Sequence, residues 1–305
     1  MSRLTNLKKY LDYIFDNAGY DPANVFNGLS SHALCSYQSV RGKDRLPSII
    51  IHGIMKRSGT VYLGQLLSLH PDLFAHPNNI WEVPFLPLTR DVARLQDKFL
   101  LLYDRNRDQM GSDDFLPLFG GAILNYLYGF VPDGQRMLLK IPSVQYLNNF
   151  YSVFPGEDLI VLARDGRDVV TSTIKTWPQI QFSLACRRWD LSAKMVLACD
   201  EQFKTRDRYL LAKYEDAVKK PEDFVTTVLD RFGVDSANYP FDRMESLKVI
   251  GSSTTIRSGE TWVKKTEEFK PIGRWEQWSA WKKSVFKLIA GKSLVRLGYS
   301  TGLEW

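Results

Sequence analysis

Between residues 48 and 232 the chain alternates short, almost wholly apolar runs with stretches of helical periodicity. Ser48–His52 (SIIIH), Met137–Ile141 (MLLKI), Asp158–Ala163 (DLIVLA) and Arg208–Lys213 (RYLLAK) are too short for buried helices and rich in aliphatic side chains. Each predicts a strand buried on both faces. Ser58–Leu69, Tyr146–Phe154, a segment beginning at Val169–Trp177, and Pro221–Phe232 read as helices. Strand followed by helix, repeated, defines an α/β fold with a central, mainly parallel sheet flanked by helices in three layers. Ligands of such folds sit beyond the carboxyl ends of the strands, where loops meet helix N-termini.

The flanks are less regular. Leu4, Leu7, Leu11, Ile14 and Phe15 recur at helical spacing, and the stretch from about 20 to 47 is polar and reads as irregular. Residues 1–45 are therefore a helical or irregular extension of one domain covering 1–305. Asp12 and Asp16 interrupt the first apolar stretch, so it is not a signal peptide. Phe115–Pro132 carries no charge, but Pro117, Gly120, Gly121, Asn125 and Gly129 break it up. It reads as a buried loop and helix forming one wall of a pocket, not as a membrane span. The expected location is the cytoplasm, with no membrane partner.

Composition narrows the function classes. With 44% apolar and 24% charged residues, the chain is not disordered, collagen-like or a disulfide scaffold. Its three cysteines form no C-x-x-C pair, and its four histidines no H-E-x-x-H, so no metal is expected. A net charge of +6 favours an anionic partner. No nucleic-acid reader motif accompanies it.

Two loops carry the candidate chemistry. After SIIIH comes Gly53-Ile54-Met55-Lys56-Arg57-Ser58-Gly59-Thr60-Val61, which opens a helix. Unpaired N–H groups at such a helix start favour an anion, Gly59 lets backbone approach it, Ser58 and Thr60 add hydroxyls, and Lys56 and Arg57 add charge. A nucleoside-triphosphate loop needs Gly-Lys-Ser/Thr; here no lysine follows Gly59. After DLIVLA comes Arg164-Asp165-Gly166-Arg167-Asp168, with Ser172 eight residues beyond Arg164. An arginine fork and a hydroxyl facing one crevice suit a phosphate, while Arg167 and Asp168 also fit local ion pairs.

Together the two loops resemble the sulfotransferases that use 3′-phosphoadenosine-5′-phosphosulfate (PAPS). Their K/R-S-G-T loop is similar to Arg57–Thr60, and their R-D/N-x-R-D loop with its distal serine to Arg164–Asp168 and Ser172. The tract Arg57–Pro71 is similar to the branch containing tyrosylprotein and many bacterial sulfotransferases. The resemblance implies a P-loop-like fold and assigns Lys56, Arg57, Ser58, Gly59, Thr60 and Val61 to the 5′-phosphosulfate. It assigns Arg164 and Ser172 to the 3′-phosphate, and brings Tyr214 near the adenine. Ser252 or Ser253 and the tract Lys270, Gly273, Arg274 would close over the donor. It further implies PAPS as co-substrate, 3′-phosphoadenosine-5′-phosphate (PAP) as product, and no metal.

In Lys140-Ile141-Pro142, Lys140 resembles the family lysine that reaches the transferring sulfate. The cytosolic branch takes its base from a histidine after that lysine, but no histidine follows His76 here. The tyrosylprotein-like branch uses a glutamate beyond the H-P helix; Glu82 is the nearest match, a few residues later in the sequence, with His52 and His76 as other bases. Glu82, Lys140 and Arg57 are thus the expected catalytic groups. Trp81, Phe85, Tyr126 and Tyr128 are candidate aromatics for the acceptor pocket. The expected acceptor is a small molecule, and oligomeric state is not encoded legibly. The competing reading is a nucleoside or small-molecule kinase using ATP.

Overall fold

The computed structural model describes residues 18–23, 29–75, 82–102, 105, 109–111, 114–247, 255–258, 261–264 and 271–305. The first predicted helix, His76, Trp81, Ser252, Ser253 and Lys270 lie outside the described residues. Five parallel strands form the central sheet: β1 (Ile49–Gly53), β2 (Leu73–Phe74), β3 (Arg136–Ile141), β4 (Asp158–Ala163) and β5 (Tyr209–Lys213). Their order is β2-β3-β1-β4-β5. Ile51 on β1 lies opposite Lys140 on β3 and Ile160 on β4. Every residue of β1, β3 and β4 is buried. Successive side chains alternate between faces: Ile50, Leu139 and Val161 pack on one, Ile49, Ile51, Leu138 and Ile160 on the other. Burial on both faces explains why these strands read as unbroken apolar runs.

The first face is covered by α4 (Phe115–Tyr128), α6 (Gly166–Thr176), α7 (Phe182–Phe203) and α10 (Ala280–Arg296), through Leu124, Val169, Trp189 and Leu294. The second is covered by α2 (Thr60–Leu67), α8 (Tyr214–Lys219) and α9 (Pro221–Arg231), through Leu63, Ala217 and Val225. The chain therefore leaves β1 toward one face and leaves the adjacent β4 toward the other. Their loops diverge, opening a crevice beyond the carboxyl ends of the two strands.

The four predicted strands are present, with ends shifted by a residue at most. Three expectations need correction. The helix expected over Tyr146–Phe154 is a 3-10 turn, Leu147–Asn149, running into the short α5 (Phe150–Val153). The irregular stretch from 20 to 47 contains α1 (Ser31–Arg41), capped by the Ser30 hydroxyl, which accepts from the Ala33 N–H at 3.0 Å. Only Ala33, Tyr37 and Arg41 of α1 are buried, a stripe too narrow to stand out in the sequence. Finally, Tyr128 does not line the crevice. Its hydroxyl donates to the Leu46 carbonyl at 2.5 Å and meets Ser48 Oγ at 3.0 Å, at the opposite end of β1. Tyr126 is exposed and Phe85 packs in the core against Phe154.

Near that amino end, Glu157 is fully buried and accepts from Arg41, from the Ser48 N–H and, at 2.6 Å, from the Tyr37 hydroxyl. This network ties α1 to the sheet. Helices α3 (Thr89–Leu102), α7 and α10, and the antiparallel pair β6 (Thr255–Ser258) and β7 (Thr261–Lys264), were not anticipated. Among the described residues no helix is long and apolar enough to cross a membrane.

Candidate active site

The β1–α2 loop turns through two left-handed residues, Arg57 at φ 80° and Gly59 at φ 96°. Gly59 is required twice over. Its φ disfavours any side chain, and a Cβ there would lie 2.3 Å from Cδ2 of Tyr214. The helix begins at Thr60, two residues later than predicted, so Ser58 and Gly59 belong to the loop. Ser58 is 1% exposed, and its hydroxyl has no hydrogen-bond partner among the described residues. Unsatisfied N–H groups of the first α2 turn complete a concave set of donors. Thr60 is buried, whereas Lys56 and Val61 sit at the exposed rim.

The second loop interlocks with the first. Arg164 Nη1 donates to the Arg57 carbonyl at 2.8 Å, and Nη2 to the Pro271 carbonyl at 2.6 Å. The guanidinium lies 4.2 Å over the Tyr214 ring. Arg57 Nε donates to Ser172 Oγ at 3.0 Å. Arg57, Gly59, Arg164, Ser172 and Tyr214, spread over more than 150 positions, thus meet in one crevice.

Arg274 joins them. Asp168 accepts the Gly273 N–H at 2.9 Å and the Arg274 N–H at 2.8 Å, tying the C-terminal tract to α6. The expectation of a merely local role for Asp168 is therefore replaced by one in positioning that tract. Arg167 makes the expected local pair with Asp165 at 2.7 Å, but it also reaches the C-terminal tract, lying over the rings of Trp275 and Trp305 and donating to the Tyr299 carbonyl at 3.1 Å. Glu215, in the Tyr214-Glu215-Asp216 segment that resembles a family tract, accepts the Asp165 N–H at 3.0 Å and fixes the loop's position relative to α8, a role the sequence does not assign it. Nothing in the local sequence signals either tertiary contact.

The crevice is electrostatically unbalanced. Burial, chiefly, together with the neighbouring charges of Arg164 and Arg274, lowers the Arg57 pKa to about 10. Burial and Arg164 likewise lower Arg274. Three guanidinium groups converge here in mutual repulsion, and the buried Ser58 hydroxyl and Arg164 Nε have no hydrogen-bond partner among the described residues. This donor set fits a nucleotide phosphate.

A second cluster lies at the carboxyl end of β3. Lys140 is buried, and its ammonium pairs with the half-exposed carboxylate of Glu82. His52, at the end of β1, places Nδ1 2.8 Å from the Ser143 carbonyl. A carbonyl only accepts, so Nδ1 carries the proton. Burial lowers the His52 pKa to about 4, leaving the imidazole neutral and weakly basic.

A model of the Sulfotransferase family matches residues 47–238, more than half of the chain. The chain belongs to this family, and its activity is sulfuryl transfer; a kinase is not favoured. Among solved structures it is similar to the sulfotransferase domain of the Synechococcus PCC 7002 olefin synthase, at 18% identity and a TM-score of 0.51, covering 85% of this chain and 98% of that one. That likeness supports the fold. It is also similar to a sulfotransferase from Alicyclobacillus acidocaldarius, at 15% identity and a TM-score of 0.46, over 83% of this chain and 94% of that one. A mouse sulfotransferase complexed with PAP matches at 13% identity and a TM-score of 0.46, over 88% of this chain and 94% of that one. No curated protein matches the chain.

Proposed function

We propose that the chain transfers the sulfuryl group of PAPS to a hydroxyl or amine of a small-molecule acceptor, releasing PAP. The observation that carries this is the convergence of Arg57, Arg164, Arg274 and Ser172 beside the Gly59 loop, in the fold of a sulfuryl-transfer family. When bound, the donor supplies an electrophilic sulfuryl group and a phosphate on which charge grows as it departs. Arg164 and Ser172 hold the 3′-phosphate, and the Tyr214 ring, already stacked by Arg164, flanks the adenosine. Arg57, the Ser58 hydroxyl and the N–H groups of Gly59–Val61 neutralise the 5′-phosphate; the Ser58 N–H is already donated to the Met55 carbonyl at 3.1 Å. Ser252 or Ser253, with Lys270, Gly273 and Arg274, closes over the nucleotide.

Lys140 stabilises charge on the sulfuryl oxygens, and Glu82 takes the acceptor's proton. Since the two are paired, Lys140 exchanges Glu82 for the sulfuryl oxygens, and that exchange frees the carboxylate as a base. Loss of one such electrostatic donor costs about 3–4 kcal/mol of barrier, or about 10²–10³-fold in turnover. The whole chain serves as one catalytic domain, and a cytoplasmic location agrees with its three free thiols.

Thermal-shift comparison tests the donor: PAP should stabilise the protein, and ATP with magnesium should not. Lys140→Ala and Glu82→Gln should lose turnover while keeping PAP affinity within about threefold. Stabilisation by ATP alone would overturn the donor assignment, and full activity of Glu82→Gln would move the base elsewhere.

A further inference from the structure

Ser172 turns toward Arg57, but its neighbours on α6 face elsewhere. Ile174 and Lys175 line a separate groove of about 510 Å³, closed on its other side by Arg274, Trp278 and Lys282, with Phe182 at the start of α7. That volume holds a fused bicyclic ring with an anionic substituent. Three features define what it suits. Lys175, Arg274 and Lys282 bring three positive charges, and no carboxylate lines the groove among the described residues. The walls are flat and apolar: Phe182 meets Trp278 edge to face at 5.0 Å, and Lys282 lies 5.7 Å over the Phe182 ring. Trp278 is 92% buried, being 8% exposed, yet its indole N–H has no acceptor among the described residues. The N–H is itself covered, so it senses a ligand in the groove through the indole ring that lines it.

We propose that this groove is a second binding site, for an aromatic ring carrying a sulfate, sulfonate or carboxylate, coupled to the nucleotide crevice through Arg274. Ring stacking on Phe182 and Trp278 supplies apolar burial, and Lys175 and Lys282 hold the anion. The groove lies along α6 on the β4 side of β1, whereas Lys140 and Glu82 lie on the β3 side. The coupling, which rests on the donor assignment above, has a defined sign. The donor's phosphates and the groove's anion repel each other and both draw on Arg274, so each weakens the other by the same factor. An aryl sulfate made by the enzyme has the required chemistry, which gives the groove a role in product feedback.

Naphthalene-2-sulfonate is a suitable probe, because its carbon–sulfur bond is not a transferable ester. The full chain is titrated with it while the Trp278 indole N–H is followed by NMR, assigned with Trp278→Phe, and the affinity is measured by calorimetry. The expected result is a saturable shift of the Trp278 signal. Lys175→Ala combined with Lys282→Ala, both at rim positions, should weaken binding about tenfold or more. Neutral naphthalene-2-carboxamide should bind far more weakly. PAP affinity should fall severalfold at saturating sulfonate, and the reverse by the same factor. No binding, equal binding of the carboxamide, or unchanged binding in the double variant would overturn the site. So would an equal loss of PAP affinity in that variant without sulfonate, since the groove would then be part of the nucleotide crevice. Absence of PAP binding alongside a normal sulfonate titration would instead remove the donor assignment and leave the groove standing.

Discussion

Gly59→Ala is the sharpest perturbation of the nucleotide crevice, because one methyl group meets two independent objections. A residue with a Cβ pays about 1–2 kcal/mol to hold φ near 96°. The new carbon would also stand 2.3 Å from Tyr214 Cδ2 and 2.4 Å from Cε2. Tyr214 is 2% exposed and lies under the Arg164 guanidinium, so it has little room to retreat. Overpacking of this kind costs about 1–3 kcal/mol. The total is about 2–5 kcal/mol, divided between two observables. Where the loop keeps its shape, the cost appears in the stability of the free protein. Where the loop relaxes, it appears as weaker PAP binding, about tenfold for each 1.4 kcal/mol. Denaturant unfolding and calorimetry with PAP measure the two parts, and their sum should fall in that range. Adding Tyr214→Ala should remove the steric part alone, so the double-mutant cycle should show coupling of about 1–3 kcal/mol. A variant with stability and PAP affinity both unchanged within about 0.5 kcal/mol would refute the loop geometry.

Two further predictions address the sheet that carries the site. His52 has a folded pKa of about 4, below its unfolded value of about 6.5. The unfolded chain therefore binds more protons between those values, and the contribution of His52 is present above pH 6.5 and lost as pH falls toward 4, by up to about 3 kcal/mol. His52→Asn should flatten the stability curve over that interval; an unchanged slope would show that His52 is not buried in its neutral form. Glu157→Gln leaves Arg41 buried without its counter-ion and should destabilise by about 3–5 kcal/mol in urea unfolding. Its PAP affinity should be unchanged, because the network lies at the opposite end of the sheet, and a selective loss of PAP binding would contradict that placement.

The legible parts of this chain are those whose physics is contiguous. The Ile49–His52 run is apolar because β1 is covered on both faces, and the R-S-G-T and R-D-G-R-D tracts each carry their charges and glycine within five residues. Helix α1 was hidden because three buried residues make too thin a stripe, and α10 because the exposed Trp281 and Leu288 blur the stripe of Phe286, Ala290 and Leu294. The Lys140–Glu82 pair spans 58 positions and exists only through the fold. The division of labour among charges in the second loop was equally hidden, and it matters most for function. A carboxylate facing Arg57 and Arg164 would neutralise the crevice and compete with a phosphate. Instead Asp165 is committed to Arg167 and to the start of α6, and Asp168 to the backbone N–H groups of Gly273 and Arg274. The acids of R-D-G-R-D thus build the frame, while Arg164 hydrogen-bonds only to neutral carbonyls among its described partners. Burial, and after it the repulsion of Arg164 and Arg274, lowers the Arg57 pKa, and a bound polyanion relieves that repulsion.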